Sequence, residues 1–291
     1  MKYIKLFKER LRLYWVMIKP FQTGLLLLTG ITGFITARCP VMNAKILAGL
    51  TGSLFLSISG STILNMVIDR DIDSRMKRTA HRPLPAGKIS PLEAAIVGEV
   101  ACVAGLLWAL SLSGLFALIV AAGVFFDVVV YTIWLKRRTP WSILWGGIAG
   151  AMPILAGRVL GLGRVDLIGV LLGISILLWI PTHILTFNMK YFEDYARAGI
   201  PTFPSTYGFH NTRLIIAISS VGAALAVGIG IIALGLSWGY LRLLGVLTTG
   251  LLGLVIYSIF KPSEKVNFGL FKYASLFMLS SMLMLSFGIL L

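Results

Sequence analysis

Apolar stretches of about 20 residues recur along the whole chain, each near the length that crosses the ~30 Å hydrocarbon core of a bilayer as a helix. Charged residues, prolines and glycines bound these stretches. They predict nine transmembrane helices, at 20–37, 46–68, 91–111, 115–135, 141–160, 166–188, 213–236, 241–260 and 268–290. No polar segment between them exceeds about 25 residues, which is too short for a separate soluble domain of the usual 50 or more. The pattern therefore predicts one all-α polytopic membrane bundle over residues 1–291.

The N-terminal segment MKYIKLFKERLRLYW is basic and amphipathic. It is too long for the charged region of a signal peptide, and no small-residue cleavage site follows the first apolar stretch. We expect it to lie on the membrane surface as a helix that leads into the first span.

Composition agrees with a membrane protein, because 57% of the residues are hydrophobic and 13% are charged, against roughly 25% charged in a soluble domain. A water-soluble globule is thereby excluded. The net charge of +15 would suggest nucleic acid in a soluble protein. Here no basic stretch is interleaved with aromatic residues on a soluble face, and basic residues beside spans fix topology and contact anionic lipid. We expect membrane lipid, and no nucleic acid, as the partner of these charges.

The distribution of basic residues predicts the orientation. With the N-terminus inside, 21 of the 26 Lys and Arg residues fall on the cytoplasmic side of a cell membrane. The opposite orientation would reverse that ratio, so the rule that cytoplasmic loops are positively charged favours a cytoplasmic N-terminus. The longest inner loops follow spans 2 and 6 and carry acidic residues. Chemistry is therefore expected at the cytoplasmic face.

The strongest candidate site is the segment NMVIDRDID at 65–73. On a helix with 100° per residue, Asn65, Asp69 and Asp73 form one polar stripe, whereas Asp71 points about 200° away from Asp69. Carboxylates at the edge of hydrocarbon are costly unless a cation neutralises them. Mg²⁺ suits this stripe, because it takes one or two carboxylates and completes its shell with water and substrate phosphate oxygens. The alternative is a helix-end charge cluster paired with nearby bases.

A second candidate follows span 6, where His183, Phe187, Lys190 and Asp194 are spaced 4, 3 and 4 residues apart on one helical face. The run GIPTFP at 199–204 should end this helix, since proline lacks an amide donor and disfavours helix in the residue before it. We expect a stiff loop over the site that could serve as a lid. A solvated helix end is the alternative for the acids.

Basic residues accompany both acidic segments: Lys19 opens span 1, Arg78 and Arg82 lie in the first inner loop, and Lys136 closes span 4 after Tyr131. Each alone could be a topology residue. Together at one membrane face, they could clamp a diphosphate. Asp127 lies inside span 4 and is expected to make a polar contact within the bundle.

These residues resemble the UbiA superfamily of intramembrane prenyltransferases, and most closely its haem O synthase branch. The resemblance is densest in NMVIDRDIDSRMKRTAHRPLPAGKISPLEA at 65–94. Weaker matches are Lys19-Pro20, the stretch YTIWLKRRTPWSILWGGIAGAMPILAG at 131–157, and the segment from Trp179 to Pro201. The resemblance implies a nine-helix bundle with a central cavity that opens to the cytoplasm and to lipid.

The resemblance also implies roles. Asn65, Asp69 and Asp73 would hold Mg²⁺ on a prenyl diphosphate, with farnesyl diphosphate as the expected donor. Asp194 would serve a second acidic site as a further metal ligand, and Lys136 with neighbouring bases would grip the departing diphosphate. Many members carry two aspartates in the second site, and Lys190 stands in the first of those places. The choice between one metal ion and two stays open.

The acceptor follows from the resemblance alone: haem B, converted to haem O. His183 lies inside a predicted span and could ligate haem iron or hydrogen-bond the acceptor, or it could be a packing residue. A quinone precursor or a glyceryl phosphate is the alternative acceptor. A transporter is the alternative of another class, but transporters place their acids near the bilayer midplane, whereas these acids cluster at one face.

Overall fold

The computed structural model describes residues 2–38 and 43–290. The first half of the chain forms helices α1 (Lys2–Met17), α2 (Pro20–Thr36), α3 (Ala44–Ile68), α4 (Arg70–Arg75), α5 (Pro91–Leu112), α6 (Gly114–Val124) and a π-helix (Phe125–Leu135). The second half forms α7 (Ser142–Leu162), α8 (Leu167–Lys190), α9 (Phe192–Ala198), α10 (Phe203–Ala233), α11 (Trp238–Phe260) and α12 (Glu264–Leu290). The described residues are thus all-α, as predicted.

Eight helices of the described part are long and apolar enough to cross a membrane on their own, and the continuous helix Gly114–Leu135 counts as one of them. A ninth span results if the helix pair Phe7–Met17 and Pro20–Thr36 is counted as one, although it is bent by 62°. The bend lies at Lys19, whose φ of 48° is left-handed, and Pro20 can follow it because proline is tolerated in the first turn of a helix. The nine predicted spans match these helices to within a few residues, with one exception.

The exception is the seventh span, which was expected to begin at residue 213 and instead begins at Phe203. Thr202 caps α10 through a reciprocal pair of hydrogen bonds with Ser205, and Pro204 occupies the first turn, where no amide donor is needed. Gly208 then kinks the helix with a φ of 79°. The expected loop over the site is therefore only residues 199–202, because the second proline begins a helix rather than preventing one.

Helix α2 occupies a central place, in contact with α3, α7 and α12. Its contact with α7 is a direct approach of two backbones. A Cβ at Gly157 would overlap the carbonyl oxygen of Gly30, and a Cβ at Gly33 would overlap that of Ile154. Gly157 follows Gly146, Gly147 and Gly150 along the same span, and small residues of this kind allow close helix packing.

The outer surface of the bundle is apolar. Large hydrophobic side chains such as Leu118, Ile218 and Phe260 are more than three-fifths exposed. Soluble proteins rarely expose so many such residues, whereas lipid solvates them. The chain is a multi-pass membrane protein.

Candidate active site

A polar cavity of about 210 Å³ lies at the end of the bundle where α3 and the π-helix terminate. Besides Phe187, it gathers eight of the eleven polar residues that the sequence places in candidate sites, namely Lys19, Asn65, Asp69, Asp73, Arg78, Arg82, Tyr131 and Lys136. They come from four separate segments of the chain, so the fold rather than the sequence order unites them. The loop residues Pro201 and Thr202 also line this cavity.

The acidic stripe survives a break in the helix that carries it. Helix α3 ends at Ile68 and α4 begins at Arg70, with Asp69 between them at φ −88° and ψ 7°. The backbone hydrogen bonds from Asp69 N to Asn65 O (2.9 Å) and from Asp73 N to Asp69 O (2.8 Å) are retained. The spacing of a helical turn is thereby kept, and Asp69 and Asp73 are each only 5% exposed.

Asp71 points away from the cavity, as the helical periodicity predicts. Its side chain is 48% exposed and pairs with Arg137, with Oδ1 at 2.6 Å from Nη2. Hydrogen bonds from that guanidinium hold the pKa of Asp71 below its ordinary value. The same Arg137 nitrogen donates to the carbonyl oxygen of Ile68 at the end of α3. Asp71 therefore ties two helix ends together outside the site.

Each buried carboxylate of the stripe is paired with a base. Lys136 forms an ion pair with Asp69 Oδ2, and Arg82 donates to both oxygens of Asp73 at 2.8 and 3.1 Å. Asp69 Oδ1 remains buried without a hydrogen-bond partner. A buried unpaired carboxylate oxygen is costly, so this atom is available to a ligand.

The residues of the cavity fit Mg²⁺ as part of a larger complex and do not form a metal cage by themselves. Mg²⁺ commonly takes one or two protein carboxylates and completes its octahedral shell with substrate phosphate oxygens and water. The cavity offers two carboxylates, one of which has an oxygen without a hydrogen-bond partner. Within residues 2–38 and 43–290, no group of three or more His, Cys, Asp or Glu side chains is placed to hold a metal. The expected set of Asp69, Asp73 and Asp194 is thus not assembled.

Asp194 does not lie in the cavity, where it was expected. Its carboxylate instead supports the backbone of the first inner loop. Its oxygens accept the amide hydrogens of Lys77 and Arg78 at 3.2 Å each, and Arg197 donates to it at 3.3 Å. Asp194 is buried but is not part of the cavity wall. Through these contacts Asp194 holds the backbone at Lys77 and Arg78 in place.

Arg78 is held over two aromatic rings. Its guanidinium carbon lies 4.8 Å from the centre of Phe187 and 5.2 Å from that of Tyr191, and such cation–π contacts stabilise a charge without consuming its hydrogen-bond donors. Arg78 Nε is buried and has no partner. The side chain is therefore oriented and still able to donate into the cavity that it lines.

His183 and Lys190 also lie outside the polar cavity. The ring of His183 stacks between Trp179 (4.9 Å) and Phe271 (4.4 Å), with Nδ1 at 3.2 Å from Ser275 Oγ. Lys190 is exposed, and its Nζ lies 3.5 Å from the centre of the Phe268 ring. Helix α8 ends at Lys190 and α9 begins at Phe192, so the continuous helical face expected from His183 to Asp194 is interrupted.

Sequence reasoning assigned no role to five further uncharged polar residues of the cavity wall, namely Gln22, Ser142, Asn188, Tyr195 and Thr202. Gln22 lies three residues after Lys19, and Asn188 lies four after Ile184, both at helical spacing from other lining residues. For these two residues, that spacing is the signal that could have found them, because they carry no charge that marks a helix end.

A second cavity of about 290 Å³ continues from the first into the bundle. The two cavities share Lys19, Gln22, Asn65, Tyr131 and Ile184. Beyond this shared rim the wall is mainly apolar and includes Leu26, Leu54, Ile58, Val120, Val124, Ala149, Met152 and Pro153. We name this second cavity the apolar chamber. A charged head and an apolar tail of one amphiphilic molecule would thus meet matching surfaces.

Comparisons with known proteins agree with this architecture. The UbiA prenyltransferase family matches residues 26–281. A protoheme IX farnesyltransferase of Pyrobaculum islandicum is 40% identical over 261 residues, covering 89% of this chain and 92% of the relative.

Two solved structures share the fold. A digeranylgeranylglyceryl phosphate synthase superposes with a TM-score of 0.80 at 20% identity, over 97% of this chain and 99% of that one. A UbiA homologue from Archaeoglobus fulgidus bound to GPP and Mg²⁺ superposes with a TM-score of 0.66 at 15% identity, over 94% of this chain and 99% of that one.

Proposed function

The chain belongs to the UbiA prenyltransferase family, and from this premise we propose that it transfers a farnesyl group from farnesyl diphosphate to haem B. The observation that carries the proposal is the joining of a cavity rich in bases and acids to the apolar chamber through shared residues. The acceptor is inferred from relatives at about 40% identity that are named protoheme IX farnesyltransferase.

The donor diphosphate would bind in the polar cavity. Lys19, Arg78 and Lys136 offer positive charge there, and such groups stabilise the charge that develops on a departing diphosphate. Asp69 and Asp73 would hold Mg²⁺, which when bound neutralises phosphate charge and polarises the leaving group. Lys136 and Arg82, now paired with these acids, would then turn to the phosphate oxygens.

The farnesyl tail would lie in the apolar chamber, whose wall excludes water from the reacting carbon. Breaking the bond between C1 and oxygen leaves the electron pair on diphosphate and an allylic cation on the tail. The terminal carbon of a haem vinyl group bonds to C1, and the adjacent vinyl carbon takes hydroxide from water, which releases one proton. The departing diphosphate takes up this proton, so the sum is haem B, farnesyl diphosphate and water giving haem O and protonated diphosphate.

The test is to incubate the purified protein with Mg²⁺, labelled farnesyl diphosphate and haem B, and in parallel with a quinone precursor and a glyceryl phosphate. We expect labelled product with the mass of haem O only in the first reaction. Product from another acceptor would overturn the haem assignment and leave the prenyl transfer standing.

We propose a role in acceptor binding for His183, whose Nδ1 contacts Ser275 and whose Nε2 has no hydrogen-bond partner among the described residues. Added haem B is expected to give a shifted Soret band, and His183→Ala should change that band, because an axial imidazole determines the spectrum of haem iron. His210→Ala is the control, since this histidine is exposed. An identical Soret band in His183→Ala would contradict a ligand role.

We also propose that the polar cavity faces the cytoplasm of a cell membrane, from the excess of basic residues on that side. In a variant with Cys39 and Cys102 replaced by serine, Lys77→Cys should react with an impermeant thiol reagent only in inside-out vesicles. Arg164→Cys, at an exposed position at the other end of the bundle, should react only in right-side-out vesicles. The reverse pattern would overturn this orientation.

A further inference from the structure

Asp127 is a carboxylate inside the bundle to which the reaction above assigns no role. It lies on the π-helix and is the one acidic residue in the wall of the apolar chamber, among the residues that the structure describes. In the same part of the chain, no Lys, Arg or His nitrogen lies within 4.0 Å of its oxygens. A carboxylate in such a place is costly, so its contacts indicate what it does.

Its close contact is with Asn65, at the rim shared by the two cavities. The Asn65 amide nitrogen donates to Asp127 Oδ2 at 2.8 Å, and the hydroxyl of Thr132 lies 2.8 Å from the Asn65 amide oxygen. Thr132 Oγ1 is also 2.8 Å from the carbonyl oxygen of Asp127. The amide is therefore held at its nitrogen and at its oxygen by one helix.

The π-helix explains how one helix can hold both ends of the amide. Asp127 and Thr132 are five residues apart, which is the hydrogen-bonding repeat of a π-helix, so both side chains face Asn65. In an α-helix, the same spacing would separate them by about 140° around the axis. π-Helical turns are frequent at functional sites, and here the turn aligns two partners of one candidate active-site residue.

We propose that Asp127 is a positioning residue. It fixes the side-chain amide of Asn65 so that the remaining N–H donor and the remaining acceptor lone pair of that amide face the diphosphate head of the donor. A carboxylate oxygen can only accept a hydrogen bond from the amide, so it selects the side-chain NH₂ group of Asn65 over the side-chain oxygen. One N–H and one lone pair of Asn65 then remain at the rim of the polar cavity. Asp127 acts through Asn65 and does not itself touch the diphosphate.

This inference rests on the proposed function, and its test measures binding rather than turnover. The probe is the unreactive thiolodiphosphate analogue of farnesyl diphosphate, titrated by calorimetry with Mg²⁺ and with EDTA. Asp127→Ala should raise the Kd with Mg²⁺ about tenfold, the effect of losing one hydrogen bond of about 1.4 kcal/mol. Asp127→Asn should restore binding to within about threefold, because its amide oxygen can accept the same hydrogen bond.

Two comparisons separate positioning from other effects. Asp127→Ala should cause no further loss in an Asn65→Ala background, since a residue that acts through another adds nothing when that residue is absent. Glu99→Ala removes an exposed carboxylate from a span and should leave the Kd unchanged.

The proposal is wrong if Asp127→Asn binds as poorly as Asp127→Ala, since charge rather than hydrogen bonding would then matter. Equal losses from Asp127→Ala in the parent protein and in the Asn65→Ala background would also overturn it. If the unmodified protein does not bind the probe, the proposed function itself fails and this inference fails with it. Normal binding by the unmodified protein and by Asp127→Ala overturns only the positioning role.

Discussion

Replacing Asp69 or Asp73 with asparagine is expected to lower the rate of diphosphate release from farnesyl diphosphate by about 10²–10³-fold, the usual cost of removing one group that stabilises a developing charge. Both carboxylates line the polar cavity and are 5% exposed. Asparagine keeps the shape of the side chain but removes the charge that would hold Mg²⁺ near the phosphates. Release of labelled diphosphate, followed over a range of Mg²⁺ concentrations, measures the loss.

Asp71→Asn is the matched control, because it removes the same charge at a side chain that points out of the cavity, from the short helix α4 that also carries Asp73 and directly follows Asp69. Its activity should stay within about twofold of the parent, as expected for an exposed ion pair. Breaking a buried pair can also unfold a protein, so helicity and thermal stability in detergent accompany each rate. Equal losses at Asp69, Asp71 and Asp73 in folded variants would contradict the stripe.

The paired state of the acids explains how a cavity with so much charge can exist inside a membrane protein. Lys136 neutralises Asp69, and Arg82 neutralises Asp73, which lowers the cost of removing each charge from water. A diphosphate with a divalent cation brings both signs of charge. The acids can therefore pair with the divalent cation, and the bases with the phosphate oxygens. Each charged side chain then keeps a partner of opposite sign when the diphosphate binds.

Periodicity predicted the stripe well because the hydrogen bonds of a helical turn continue through the break at Asp69. A one-residue break that keeps those bonds does not rotate the following turn away. Sequence reasoning could therefore place Asn65, Asp69 and Asp73 together and place Asp71 outside. Four of the predicted cations also line the cavity, since Lys19 and Lys136 lie at span ends and Arg78 and Arg82 in the inner loop at the same face of the bundle, whereas Lys190 lies outside it.

The second stripe is not assembled in the cavity. Tyr191 separates α8 from α9 with φ −108° and ψ 31°, but the backbone hydrogen bonds from Tyr191 N to Phe187 O and from Tyr195 N to Tyr191 O continue across this break, as they do at Asp69. A tertiary contact separates Asp194 from the expected site, because its carboxylate accepts the backbone amides of the first inner loop. No local pattern reveals such a contact, because its partners are amides that every residue other than proline carries and lie more than 100 residues away.

The apolar chamber leads to the last prediction, which concerns the length of the donor. Ala149 on α7 lines this chamber beyond the rim that it shares with the polar cavity, so Ala149→Phe should fill space that the distal part of a farnesyl tail would occupy. Each buried methylene contributes about 0.8 kcal/mol, so one five-carbon isoprene unit contributes up to ~4 kcal/mol, or on the order of 10³-fold in affinity. Because a single ring displaces only part of the tail, we expect the preference for farnesyl over dimethylallyl diphosphate, as a ratio of kcat/KM, to fall by about 10²-fold. Ala233→Phe, on the exposed end of α10, should leave that ratio unchanged, and an unchanged ratio in Ala149→Phe would place the tail outside the chamber.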